Sequence, residues 1–121
     1  MKGTLITESL RVGTSLRPIR GLVVTEIRRY AVNDVPECQA PVWTALEFEG
    51  DDGSAEELAT SLASSLDEPG WYANFSTSEE TFVVYPKRTF RYPRLDQQGR
   101  EGAQAYGRAL GVPEPQFDWS E

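Results

Sequence analysis

Apolar and polar positions alternate with period two along several segments of this chain and recur with a helical period in two others. Over residues 22–32, Val23, Thr25, Ile27, Arg29 and Ala31 fall on one side. Leu22, Val24, Glu26, Arg28, Tyr30 and Val32 fall on the other, which predicts a strand with one half-solvated face. Residues 42–49 repeat the pattern: Val42, Thr44, Leu46 and Phe48 oppose Trp43, Ala45, Glu47 and Glu49. Three further short strands are predicted over 71–76, 81–85 and 89–92, and a first one over 4–7. The segment Thr81 to Tyr85 is apolar on both faces, as a central strand must be.

The helical stretches carry terminal signals. Ser54 followed by Glu57 reads as a capping box, and Leu58, Leu62 and Leu66 then form a stripe, so a helix is expected over 55–67 until Pro69-Gly70 stops it. A second helix is expected over 97–110, with Asp96 as N-cap and Ala103, Tyr106 and Leu110 on one side. Gly99, Gly102 and Gly107 each weaken it by up to ~1 kcal/mol against Ala. Packing must therefore hold this helix, and its glycines let it approach the sheet closely. Residues 13–21, which include Pro18, and 33–41 read as connections.

The predicted order is β-β-β-α-β-β-β-α. Tight turns between consecutive strands favour antiparallel pairing. The expectation is an α+β fold: a two-layer α/β sandwich in which a mainly antiparallel sheet of five to six strands carries both helices on one face. A chain of 121 residues fits one domain over 1–121. The tail 112–121 should dock through Phe117 and Trp119, which are too apolar to remain in solvent.

Charge changes the picture in two ways. A net charge of −7 argues against general nucleic-acid binding, which needs positive charge facing phosphates. The charge is also unevenly distributed. Residues 31–80 hold twelve carboxylates and no Lys or Arg, while the rest holds all twelve basic groups and seven acids. Either folding interleaves the two sets, or the surface has an acidic and a basic pole that steers a partner or favours self-association. No apolar run approaches a membrane span and no secretory leader is evident, so a cytoplasmic location is expected.

The chain has no histidine and one cysteine, Cys38. Imidazole catalysis, His metal sites and thiolate cages are thereby excluded, and no phosphate-binding glycine motif is present. No catalytic residue, metal ligand or cofactor site is assigned. Cys38 sits beside Glu37, which raises rather than lowers a thiol pKa. The run Glu47, Glu49, Asp51 and Asp52 lacks the spacing of a calcium loop and fits a helix start. Seven aromatics lie between Trp71 and Tyr92, where cross-strand packing competes with an exposed binding patch. The candidate surface is the basic and aromatic stretch Lys87, Arg88, Phe90, Arg91, Tyr92 and Arg94, because arginine beside aromatic rings clamps anions and stacks on planar groups. The competing explanation is edge-strand charge that discourages sheet-to-sheet aggregation.

The blocks Trp71-Tyr72-Ala73-Asn74-Phe75, Phe82-Val83-Val84-Tyr85-Pro86 and Phe90-Arg91-Tyr92-Pro93-Arg94, with Ala105-Tyr106-Gly107 and Phe117-Asp118-Trp119, resemble a family of small uncharacterised bacterial proteins. That resemblance implies a stand-alone bacterial cytosolic domain and no particular activity, cofactor or site residue.

Two functional readings remain open. One is a small binding or interaction module that uses the hairpin region 71–94 to hold an anionic ligand or a protein partner, with a homodimer compatible with the bipolar charge and the aromatic-rich sheet. The other is a small cofactor-independent isomerase or hydrolase with a carboxylate base and Arg/Tyr anion stabilisation.

Overall fold

The structure, a computed structural model, describes residues 1–17 and 19–121, and Pro18 lies outside the described residues. Six strands form one sheet: β1 (Lys2–Ile6), β2 (Val23–Ala31), β3 (Val42–Glu49), β4 (Ala73–Ser76), β5 (Glu80–Tyr85) and β6 (Arg88–Pro93). Two helices follow β3 and β6, namely α1 (Ala55–Ala63) and α2 (Gln97–Leu110). Every strand pair is antiparallel, in the spatial order β2-β3-β1-β4-β5-β6. The α+β class, the antiparallel sheet and the order of elements agree with the sequence reading.

The helices divide between the two faces of the sheet instead of sharing one. On the first face, Leu58 and Leu62 of α1 pack with Phe75, Phe82 and Val84. On the second, Ala103 of α2 packs with Val83, Tyr85 and Tyr92, under Phe117 and Trp119 of the C-terminal segment. The cause lies in β5: successive side chains point to opposite faces, and all of Phe82, Val83, Val84 and Tyr85 are apolar. Both sides of β5 need a cover, and each helix supplies one. These four residues are at most 2% exposed. The Phe75 and Phe82 rings stack across β4 and β5 at 4.9 Å.

The entry to α1 also differs from the pattern. A 3-10 turn, Asp52–Ser54, precedes it, and Ser54 lies at φ −94° and ψ 0°. Its hydroxyl therefore makes no cap bond and donates weakly to the Arg20 carbonyl at 3.4 Å. The helix ends at Ala63, and Leu66 instead forms a β-bridge with Leu10. In α2 the Asp96 carboxylate accepts from the Gly99 amide at 3.1 Å, as a cap should. Gly99 lies on Tyr92, and Gly107 lies on Tyr85 and Phe117, so α2 seats closely against the second face.

Both helices sit over the β4–β6 end. Neither reaches β2, whose nine residues are all exposed on both faces. The half-solvated strand read from the sequence is thus fully solvated, because it is an edge strand beyond the reach of either covering layer.

Candidate functional site

The structure separates the six residues of the sequence-derived surface. Arg91 opposes Phe82 and points to the first face. Its Nε and Nη2 each donate to Glu80 at 2.7 Å, its Nη1 donates to Glu56, and the guanidinium lies 5.1 Å from the Phe82 ring. Arg88 and Phe90 lie on the other face, with the Arg88 guanidinium 4.8 Å from the Phe90 ring and 5.3 Å from the Tyr106 ring. Tyr92 is buried, and its hydroxyl accepts from the Trp119 indole at 3.0 Å. Lys87 occupies the β5–β6 turn at φ 62°, its amide donating to the Ala63 carbonyl. Arg94 is exposed beyond the end of β6.

The stretch is therefore an edge strand whose basic groups point to different faces, with Arg91 ion-paired and Arg88 stacked on rings, not one basic surface. An anion at Arg91 would have to displace two carboxylates. Arg91 is held more firmly protonated than usual by its hydrogen bonds to Glu80 and Glu56, and Glu80 is held below the usual carboxylate range by Arg91. Part of the acidic central segment is paired in the same way: Lys2 meets Glu49, Arg28 meets Glu47, and Arg91 meets Glu56 and Glu80. Folding interleaves the two charge sets in these pairs.

The acidic run does not converge. Glu47 and Glu49 sit on the second face of β3, whereas Asp52 lies beyond the strand, holding the Met1 ammonium at 2.5 Å and the Ser78 hydroxyl at 2.8 Å. Cys38 is exposed in the β2–β3 loop.

A hollow of about 370 Å³ lies beside Arg91 and Glu80, and larger ones lie on the second face over β1, β3 and β4, where α2 gives no cover. A hollow of about 520 Å³ lies there between β2 and the C-terminal segment. Tyr30, Trp43, Trp71, Tyr72 and Trp119 line it, together with Pro113 and Pro115. A second hollow of about 700 Å³ shares Thr4, Asn74 and Ser120 with the first, so the two form one trough along the sheet. One end is aromatic, and the other carries Lys2, Glu49 and Arg94.

Local rules explain the lining. Tyr30 pairs with Trp43 across β2 and β3, and their rings meet edge to face at 6.4 Å. Trp43 meets Trp71 at 5.4 Å, and its indole donates to the Ala40 carbonyl at 2.8 Å. Across the trough, Tyr72 meets Trp119 at 5.4 Å and donates its hydroxyl to the Gln116 carbonyl. Burial pushes the Tyr72 hydroxyl pKa far up, so it remains a neutral donor. Gln39, buried in the β2–β3 loop, accepts from Gln116 at 2.8 Å and ties that loop to the C-terminal wall.

Glu47 centres the floor. It accepts from the Thr4 hydroxyl at 2.6 Å and from Arg28 at 2.5 Å, and Arg28 also meets Glu26 at 3.0 Å. Burial alone would raise the Glu47 pKa, but these donors outweigh it and hold the carboxyl below its usual range. At the C-terminal wall, Glu121 accepts from Arg100 at 2.9 Å, from Thr81 at 2.9 Å and from the Leu95 amide at 3.1 Å. Burial pushes Glu121 upward, and these bonds bring it below its usual range.

Tyr30, Trp43 and Trp119 were missed as site residues by sequence reasoning. One signal was visible. Trp43 shares its strand face with Glu47 and Glu49, while the opposite face holds Leu46 and Phe48. A tryptophan on the polar face of a strand is the kind of residue that marks a working surface.

These features define the chain as an α+β protein with an antiparallel sheet, covered on both faces at one end and grooved on one face at the other. No protein-family model, curated protein or solved structure matches it. Among the described residues, no helix is long and apolar enough to cross a membrane.

Proposed function

We propose that the protein is a binding module whose working surface is the trough on the second face, and that its occupant is an extended segment of a partner polypeptide. The observation that carries this reading is the convergence of exposed Tyr30 and half-buried Trp43 on one open groove, backed by the buried rings of Trp71 and Trp119. Compact small ligands favour enclosed cavities, whereas an elongated open trough suits a chain-like ligand. Aromatic anchors are the commonest energetic centres of protein contacts. The mixed charges along the trough, with Arg28 and Lys2 set among Glu47, Glu49 and Asp118, suit a polypeptide of both signs better than a phosphate or a polyanion. Segment 71–94 still contributes through Trp71, Tyr72, Asn74 and, at the far end of the trough, Arg94, while Lys87, Arg88, Phe90 and Arg91 lie outside it.

The catalytic alternative calls for a carboxylate held above its usual pKa near Arg91 or Tyr92. Glu80 beside Arg91 and Glu121 near Tyr92 are both displaced downward, which weighs against it.

The test starts with peptides selected from a random display library against the intact protein, titrated by tryptophan fluorescence. Tyr30→Ala and Trp43→Ala should each weaken binding at least tenfold, a loss of about 1.4 kcal/mol or more. Arg88→Ala should leave the affinity unchanged within twofold. Binders that depend on Arg88 but tolerate both aromatic substitutions would return the site to the hairpin and overturn the proposal.

A further inference from the structure

The two edges of the sheet are built differently. β6 carries Arg88, Arg91 and Pro93, which discourage further strand pairing. β2 is longer, contains no proline, and leaves Val23 59%, Val24 49% and Ile27 66% exposed. Its one irregularity is a bulge between Val24 and Glu26, so Glu26 to Ala31 forms an unbroken free edge.

The ladder shows which backbone groups are free. The Val32 amide donates to the Pro41 carbonyl at 2.8 Å, which makes that opposed pair a hydrogen-bonded one. Bonded and non-bonded pairs alternate in an antiparallel ladder. Tyr30, Arg28 and Glu26 therefore bond to Trp43, Ala45 and Glu47, while Ile27, Arg29 and Ala31 direct both backbone groups outward.

We propose that a second copy of this chain occupies that edge, with the two β2 strands paired antiparallel about a twofold axis at Ile27. Charge selects the register. An axis at Glu26 would oppose Glu26 to itself, and axes at Arg28 or Arg29 would oppose arginine to arginine. An axis at Ile27 sets Glu26 of each copy against Arg28 of the other, twice, on the same face of the sheet. It also opposes Ile27 to Ile27 and makes that central pair a hydrogen-bonded one, which the outward backbone groups of Ile27 require. The same surface on both copies forms the contact, as a twofold interface demands. The product is a continuous twelve-stranded sheet, and the two troughs lie side by side on one face of it. This inference stands apart from the identity of the trough's occupant.

The experiment is sedimentation velocity across a wide concentration range, with circular dichroism to confirm folding. The wild-type chain should reach twice its 13.5 kDa mass. Glu26→Arg and Arg28→Glu should each weaken self-association at least tenfold, since each opposes like charges twice. Mixed in equal amounts, they should form a heterodimer. One chain then presents two arginines beside Ile27 and the other two glutamates, so both opposed pairs regain opposite charge. Arg28→Glu also removes a partner of Glu47, so Ile27→Lys serves as an independent variant. Ile27 is mostly exposed, and lysine there sets like charges at the axis without touching the core. A wild-type chain that stays monomeric at every concentration overturns the proposal. So does a Glu26→Arg or Ile27→Lys dimer as tight as wild type, or a folded mixture that fails to associate. A peptide that pairs along β2 of a monomer would identify the edge as a docking strand for another protein and would equally refute it.

Discussion

Two glycines of α2 provide opposite tests of how the helix is seated. A Cβ at Gly102 would meet nothing within 4 Å. Gly102→Ala therefore gains helix propensity and narrows the unfolded ensemble without a steric cost, for a stabilisation of about 0.5–1 kcal/mol. A Cβ at Gly107 would lie 2.6 Å from the Tyr85 hydroxyl oxygen and 2.7 Å from Phe117 Cε1. Tyr85 cannot yield easily: it is 0% exposed, and its hydroxyl donates to the Ala103 carbonyl at 2.7 Å. Overpacking of this kind costs about 1–3 kcal/mol. A weakened buried hydrogen bond adds about 1 kcal/mol. The propensity gain of up to about 1 kcal/mol offsets only part of this. Gly107→Ala should thus lose about 1–3 kcal/mol net. Urea unfolding reads both variants. With a slope of about 2 kcal/mol per molar, the midpoint should rise by roughly 0.3–0.5 M for Gly102→Ala and fall by roughly 0.5–1.5 M for Gly107→Ala. Displacement of Phe117 should also disturb the C-terminal wall and change tryptophan emission in the folded state, an effect absent in Gly102→Ala. Changes of the same sign in both variants would refute the close seating of α2 through Gly107.

Glu121→Gln should cost about 2 kcal/mol at neutral pH, since charge-assisted hydrogen bonds to a side chain only 5% exposed are lost. The pKa of Glu121 is lowered by folding, so its stabilisation is present above the unfolded value of about 4.3 and is lost as pH falls through the folded value. Wild type and variant should therefore converge in thermal unfolding at low pH, and a constant gap down to about pH 2 would count against this origin. Leu62→Ala in α1 should lose about 2–5 kcal/mol in chemical denaturation, because Leu62 is 1% exposed in the first-face core. A loss below about 1 kcal/mol would show that α1 packs otherwise. In native-state hydrogen exchange, the amides of Val83 and Val84 should open only with global unfolding, and β2 should exchange through smaller openings. Equal protection of β2 and β5 in a dilute monomeric sample would contradict the division of the sheet.

Local elements were legible because local physics sets them. The double-sided apolar run of β5, the Asp96 cap and the order of strands and helices follow from period, propensity and capping chemistry within a few residues. The same run contained the reason for its two covers, yet an apolar stripe on a helix does not state which face of a sheet it will meet. Ser54 and Glu57 had the spacing of a capping box, but the backbone of Ser54 is set by the preceding turn, which that spacing does not encode. The trough was illegible for a different reason. Trp43, Trp71 and Trp119 lie far apart in the chain and meet only when β1 inserts between β3 and β4 and the C-terminal segment folds across the second face. The arginine stretch looked like a site because sequence shows neither that its basic groups point to different faces nor the carboxylates that engage Arg91. Glu56, which meets Arg91, is on α1, far from β6 in sequence.

The placement of both helices over β5 has a consequence for where the molecule can bind. Stability is a small difference between large terms, so a domain of this size keeps its fold by concentrating apolar burial. Here the burial is concentrated on both sides of β4 and β5, where Phe75, Phe82, Val83, Val84 and Tyr85 are at most 2% exposed. The strands β1 and β3 are held by that half through their ladders, and they can leave one face open without losing the core. An open face of only polar residues would be inert, but this one combines a satisfied polar floor at Thr4, Glu47 and Arg28 with rings along its wall. The rings are held in place by contacts of their own, so the surface is formed before a ligand arrives and little ordering cost remains to be met on binding. The exposed β2 edge follows from the same arrangement: a strand beyond both helices retains unpaired backbone and apolar side chains, and pairing with its own copy satisfies both while leaving the trough accessible.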